Sequence, residues 1–331
     1  MKINDWLAAL HRVFEECPVA QTLWCAAASR SAAVDSCDSL RVMGMPTDVP
    51  IVDLMLNLPI LDLEATYGNL REAAKDGDSK NFKFPAEYMF KGVPHGWGEG
   101  RDPVEVTLEE MDKWGIRTAL LGVGRSAADA AIRQHPDRFV GNVHVDPNDV
   151  MGAVRRIEEA HGELNVRMAS TFPAGNVPQI PVDGAQMYPL YAKCVELDIA
   201  VGLNMGVPGP RVPMEPQKVE RLDRICYDFP ELRLVTYHGC EPWEELAVKL
   251  MLKWPGLHYC TSAFAPKYYP KAIIDYANTR GADKILYAGY FPMGLSLERI
   301  MTEMRDVPFR DHVWPKFLFE NARRVLKLDD G

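Results

Sequence analysis

From Pro50 onward the chain alternates short apolar runs with longer stretches whose apolar positions recur at helical spacing. Eight runs stand out: Ile51 to Leu56, Thr118 to Val123, Phe139 to Val145, Leu164 to Ala169, Ile199 to Leu203, Leu232 to Tyr237, Leu257 to Cys260 and Lys284 to Ala288. Strands separated by helical stretches cannot be joined as hairpins, so the pattern predicts a parallel sheet with crossover helices. An open doubly wound sheet would normally carry a Gly-rich phosphate turn after its first strand, and Val52-Asp53-Leu54-Met55-Leu56-Asn57 has none. Eight repeats fit closure, and the fold expected for residues 49–331 is α/β, a (β/α)8 TIM barrel.

Two segments exceed a minimal barrel. Near the start, Trp6, Leu7, Leu10, Val13 and Phe14 fall at spacings of one, three and four before Cys17-Pro18 stops the run, which predicts a helical N-terminal extension over residues 1–48. Residues 60–105 form an insertion after the first strand that is longer than an ordinary βα loop and carries Tyr67, Phe82, Phe84, Tyr88, Phe90 and Trp97. Loops after barrel strands lie at the face where barrel enzymes keep their active sites, so this segment is a candidate lid with aromatic walls for an apolar ligand. A small subdomain core or a dimer contact is the alternative use of the same aromatics.

Composition narrows the function classes. A formal net charge of −9, with no Lys/Arg-rich run, removes the phosphate attraction on which nucleic-acid binding depends. No apolar run approaches the length of a membrane span, and Met1, Lys2 and Asp5 do not build a secretory leader, so a cytoplasmic protein with no membrane partner is expected. The seven cysteines are an odd number, widely spread and without a CxxC pair, which argues against a disulfide framework and a structural zinc site. No GxSxG elbow is present. Gly122-Val123-Gly124-Arg125-Ser126 places two glycines in the turn after the second strand, where amides could meet an anion, but a lone GxG fits a tight βα connection equally well.

Chemistry on a barrel is read from the strand C-termini, where side chains distant in sequence converge. The candidates there are Asp53, Met55 and Asn57 from strand one, His144 and Asp146 from strand three and Arg167, Ser170 and Thr171 from strand four. Asn204, His238, Ser262 and Tyr290 follow from strands five to eight. Around them run Leu108 to Ile116, His135-Pro136-Asp137-Arg138-Phe139-Val140-Gly141 leading to Val145-Asp146-Pro147, and Tyr188-Pro189-Leu190-Tyr191. Asp228-Phe229-Pro230-Glu231-Leu232, His238-Gly239 with Pro242-Trp243, and Glu320 to Leu326 complete the series. In order and spacing these segments resemble the amidohydrolase-related family that includes the aminocarboxymuconate semialdehyde decarboxylase group. The resemblance implies a barrel and hydrolase or decarboxylase chemistry on a small substrate.

It also implies a divalent metal, and there the chain departs from the pattern. The family's first strand ends in Asp-x-His-x-His; the same frame here is Asp53-Leu54-Met55-Leu56-Asn57. The fifth-strand ligand histidine corresponds to Asn204, and the eighth-strand aspartate to Tyr290. Met, Asn, Asn and Tyr supply at best weak neutral donors, so no metal and no other cofactor is expected. His238 alone remains, matching the sixth-strand histidine that serves as acid or base in the resembling enzymes. An imidazole can still move protons unaided. Tyr290, Asn57 and Asn204 could hold substrate oxygens, Arg167 could clamp a carboxylate, and His144 points to the same rim if the register holds. Met55 and Met205 could equally fill the volume that a metal and its water would take.

Two readings stay open from the residues. One is a metal-independent enzyme acting on a small carboxylate, lactone or apolar ring compound through His238 and Tyr290. The other is a catalytically lapsed barrel serving as a binding protein or partner subunit. The N-terminal extension and the insertion both offer apolar surface beyond the barrel's needs, which leads to the expectation of a homo-oligomer, a dimer in the simplest case.

Overall fold

The computed structural model describes residues 44–59, 68, 70–82, 85–90, 98 and 100–328. The expected helices of the N-terminal extension lie outside these residues, as do Tyr67, Phe84 and Trp97 of the insertion.

Eight parallel strands pair in sequence order: β1 (Ile51–Asp53), β2 (Ile116–Gly122), β3 (Phe139–His144), β4 (Val166–Thr171), β5 (Ala200–Asn204), β6 (Leu234–Tyr237), β7 (Leu257–Cys260) and β8 (Ile285–Leu286). Helices join them: α1 (Pro103–Trp114), α2 (Ser126–Gln134), α3 (Val150–Glu163), α4 (Tyr188–Glu196), α5 (Leu222–Asp228), α6 (Glu244–Lys253) and α7 (Lys271–Ala277), with α8 (Leu297–Met304) and α9 (Asn321–Leu326) after β8. This is the (β/α)8 arrangement that the alternation predicts. The ladder runs from β1 to β8, and its two ends meet through Leu54 N to Tyr287 O at 3.4 Å and Asn57 N to Phe291 O at 2.9 Å. None of the helices among the described residues is long and apolar enough to cross a membrane.

Local chemistry sets the helix ends. Asp102 caps α1 by accepting from Val104 N at 2.8 Å, with Pro103 at the first helical position. Gly115 ends it at φ 72°, a left-handed turn that disfavours any side chain. At α3, the Asp149 side chain accepts from Gly152 N at 2.9 Å.

The core has two layers. Outside the sheet, helix side chains pack on alternate strand residues; inside, Val52, Leu120, Val140, Met168, Val235 and Leu286 fill the barrel axis. Tyr237 crosses this interior, and its hydroxyl donates to Leu54 O at 3.1 Å on the far wall. It passes over Gly202, where an added Cβ would lie 2.2 Å from the tyrosine ring. The residue at 202 is glycine because a ring occupies the space of its side chain.

Several strand boundaries depart from expectation, and two of the departures move candidate residues. β1 stops at Asp53 rather than Leu56, because the Asp53 side chain captures Met55 N at 2.9 Å and turns the chain out of the ladder. β4 begins at Val166 rather than Leu164, because α3 keeps its last turn through Leu164 N to Ala160 O at 2.9 Å. Arg167 consequently stands at the start of its strand, away from the C-terminal face. β8 is confined to Ile285–Leu286.

The described part of the insertion docks on the loop after β5. Tyr88 Oη donates to Gly209 O at 2.7 Å, and the Arg211 guanidinium lies over the Phe82 and Tyr88 rings, 5.5 and 4.9 Å from their centroids, while pairing with Asp76 at 2.8 Å.

Candidate active site

Two cavities open at the C-terminal ends of the strands. The first, of about 760 Å³, has His238, Asn204 and Tyr290 in its lining and Phe90, Phe172 and Phe264 among its walls. Lys267 and Arg299 also face it. The second, of about 1050 Å³, is bordered by Asn57, His144, Asp146, Arg125 and Arg156. Leu70 and Phe172 belong to both linings, so the cavities adjoin.

The structure therefore divides the residues that the sequence grouped. His238, Tyr290 and Asn204 come together, while Asn57, carried out of the ladder where β1 ends early, and His144, at the end of β3, belong to the neighbouring cavity. Met55 and Arg167 line neither. Arg167 was expected to clamp a carboxylate; the structure places it at the foot of β4, outside the linings of both cavities. Met55 packs against the residues of the barrel interior, the filling role.

His238 follows β6 directly, with φ at +60°, a region that non-glycine residues seldom adopt and that costs on the order of 1–3 kcal/mol. Ser262, just past β7, holds both ends of the residue: His238 N donates to Ser262 Oγ at 2.9 Å, and the same oxygen lies 3.3 Å from His238 Nδ1. Burial lowers the imidazole pKa to about 4, with the Ser262 backbone opposing, so the ring is neutral at physiological pH. The Tyr290 ring meets it edge-on, centroids 5.4 Å apart, and is itself stacked on Phe90 at 5.8 Å. Burial raises the Tyr290 phenol above its usual value, which keeps its proton on the oxygen.

His144 ends β3 with its ring open to the second cavity, yet deep enough in the mouth that burial lowers its pKa; Asp146 opposes that shift and Arg156 adds to it. Around the first cavity, Arg299 donates to Glu303 at 3.0 Å and Lys267 approaches the same carboxylate oxygen at 3.7 Å, two cations sharing one anion. Burial, with Glu244 nearby, raises the pKa of Glu241.

Asp53, a strand-end candidate that the sequence leaves without a role, is a strongly shifted titratable group. It is fully buried, and its Oδ1 accepts from Gly289 N at 2.8 Å and from Met55 N, tying the end of β1 to the chain after β8. Tyr287 faces the second oxygen without completing a hydrogen bond of good geometry. Burial pushes its pKa up to about 6 against the pull of the two amides. Its place as the first residue of the family's ligand frame was a usable signal. Ser262, also a strand-end candidate left without a role, is a polar residue two positions past an apolar strand.

The ligand set that the resemblance implies is Met55, Asn57, Asn204 and Tyr290, distributed over two cavities and a packed position. Among the described residues no group of three or more His, Cys, Asp or Glu side chains could hold a metal ion. This donor set does not fit a tightly bound divalent cation.

The structure is a parallel (β/α)8 barrel with a polar cluster at the strand C-termini. The amidohydrolase family model matches residues 105–328, more than half of the sequence, and the chain belongs to that family. No curated protein matches it. Among solved structures it is similar to an uncharacterized TIM-barrel protein from Bordetella bronchiseptica, at 21% identity over 84% of this chain and 99% of that one, with a TM-score of 0.63. It also resembles 5-carboxyvanillate decarboxylase from Novosphingobium aromaticivorans, solved with manganese and 4-hydroxy-3-methoxy-5-nitrobenzoic acid, at 16% identity over 88% and 99% with a TM-score of 0.61. A third is 2,6-dihydroxybenzoate decarboxylase from Rhizobium, at 16% identity over 85% and 99% with a TM-score of 0.57. At these identities the likeness is one of fold.

Proposed function

We propose that the chain is a metal-independent hydrolase or carboxy-lyase of the amidohydrolase family, acting on a small ring compound that bears a carboxylate or a lactone. The observation that carries this reading is the composition of the first cavity: a neutral imidazole, a phenol and a primary amide at its base, aromatic walls, and the cations Lys267 and Arg299 facing it beside Glu241. Phe90, Phe172 and Phe264 suit a flat apolar ring. Asn204 and Tyr290 suit a substrate oxygen, and Lys267 and Arg299 suit an anionic substituent. His238 acts on the substrate by proton transfer or hydrogen bonding. The decarboxylase neighbours support aromatic carboxylates as the first compounds to test.

The test is turnover of a panel of carboxylated rings and lactones by purified protein, with and without a chelator and added manganese or zinc. Turnover that survives chelation and disappears in His238→Ala is the expected result. A rate that requires added metal overturns metal independence. Binding with no turnover in either protein establishes the lapsed barrel instead.

A further inference from the structure

Three side chains lie in a row behind the first cavity: Cys260 in β7, Ser262 just past it, and the imidazole of His238. Cys260 and Ser262 are each 0% exposed. Cys260 Sγ stands 3.5 Å from Ser262 Oγ as a donor, and that oxygen stands 3.3 Å from His238 Nδ1 while accepting from His238 N at 2.9 Å. A serine hydroxyl has one hydrogen and two acceptor positions. The backbone N–H of His238 takes the first acceptor position.

What remains is one acceptor position and one hydrogen, to be shared between Cys260 and Nδ1. Burial pushes the Cys260 thiol up to about 12, so it keeps its hydrogen and needs an acceptor. If the thiol donates to Oγ, the serine hydrogen goes to Nδ1 and every polar atom in the row is satisfied. If Nδ1 carried the hydrogen instead, it would take the position that the thiol needs, and the serine hydrogen would be left with only sulfur as a weak acceptor. A buried donor without a partner keeps its desolvation cost unrepaid, and aligned donors reinforce one another.

We propose that Ser262 is the positioning residue that fixes the tautomer of His238, with Nδ1 bare and Nε2 protonated, so that the cavity meets an N–H donor rather than a base. Among the described residues Nε2 has no hydrogen-bond partner, and the ring lines the cavity. A neutral imidazole in this state polarises a carbonyl or carboxylate oxygen by hydrogen bonding. The inference rests on the proposed function for its catalytic meaning, but the tautomer itself does not. It narrows the substrate to one that presents an oxygen acceptor to His238. It also accounts for the left-handed backbone at His238, because that conformation brings N–H and Nδ1 of one residue to the same oxygen.

The experiment is nitrogen-15 NMR of the imidazole rings in the full chain at neutral pH, with the His238 signals assigned by their loss in His238→Gln. The expected spectrum shows Nδ1 as an unprotonated nitrogen and Nε2 as a protonated one. A protonated Nδ1 in the wild-type chain overturns the proposal, and this needs no variant to fold. Ser262→Ala should shift the ring toward the other tautomer and Ser262→Thr should restore it; an unchanged ring in Ser262→Ala also overturns it. On any substrate found by the panel, Ser262→Ala should lower kcat about a hundredfold with little change in KM, the scale of losing one preorganised donor. The expected tautomer with no turnover refutes the proposed function and leaves the role of Ser262 standing.

Discussion

Two histidines, one buried and one partly buried, sit at opposite ends of the barrel strands and differ in wiring. His258, within β7, is 1% exposed; its Nδ1 faces Gly256 O at 3.0 Å and its Nε2 faces Arg324 Nη1 at 3.4 Å. His238, at the mouth, has Nδ1 engaged by Ser262 and no protein partner on Nε2 among the described residues. Burial is the largest cause in lowering both, to about 3 and about 4, so a depressed pKa does not distinguish them. The free nitrogen, the cavity beside it and the strained backbone do. A titratable group held from both sides serves the fold, whereas one left half-satisfied at a cavity is available to a ligand.

The largest expected effect separates these roles. His238→Ala should cut turnover by about 10²–10⁴ while the unfolding midpoint in urea moves little. His258→Leu should do the opposite: a loss of about 2–3 kcal/mol in urea unfolding from the orphaned Arg324 and Gly256 groups, with kcat within about twofold. Equal losses of activity in the two variants would break the comparison.

The third prediction concerns pH. Both histidines have folded pKa values below the unfolded value, so the unfolded chain binds more protons as pH falls from about 6.5 toward 4 and stability is lost over that window. Asp53 has the opposite sign: its folded pKa of about 6 exceeds the ordinary aspartate value of 3.8, so the native state binds the extra proton and stability is lost as pH rises between these values. The two trends offset each other. Asp53→Asn should therefore raise stability at pH 7 by about 1–3 kcal/mol and steepen the acid limb, measured by urea unfolding from pH 4 to 8. A variant less stable at pH 7 would show that the carboxylate clasp between Met55 and Gly289 outweighs its burial cost. The smallest effect is expected from Tyr290→Phe, a drop of about tenfold in kcat/KM from one lost hydroxyl contact, with the Phe90 stacking retained.

The order of the eight strands was legible because parallel strands buried on both faces are apolar throughout, and helical stretches between them leave few topologies. The site was legible only in part, for a local reason. Alternation placed Asp53, Met55 and Asn57 on one face, but the Asp53 side chain competes with the ladder for Met55 N and ends the strand, a choice periodicity does not record. At β4 a two-residue error carried Arg167 from the rim to the foot of the strand. His238 survived because β6 ends where its apolar run ends. The aromatic walls from Phe172 and Phe264 lie in loops, where sequence pattern says least about direction.

Tyr237 gives the molecule a one-way geography. Its ring, lodged over Gly202 with its hydroxyl on Leu54, stoppers the barrel axis beneath His238. Whatever reaches the imidazole arrives from the loop side rather than along the barrel axis.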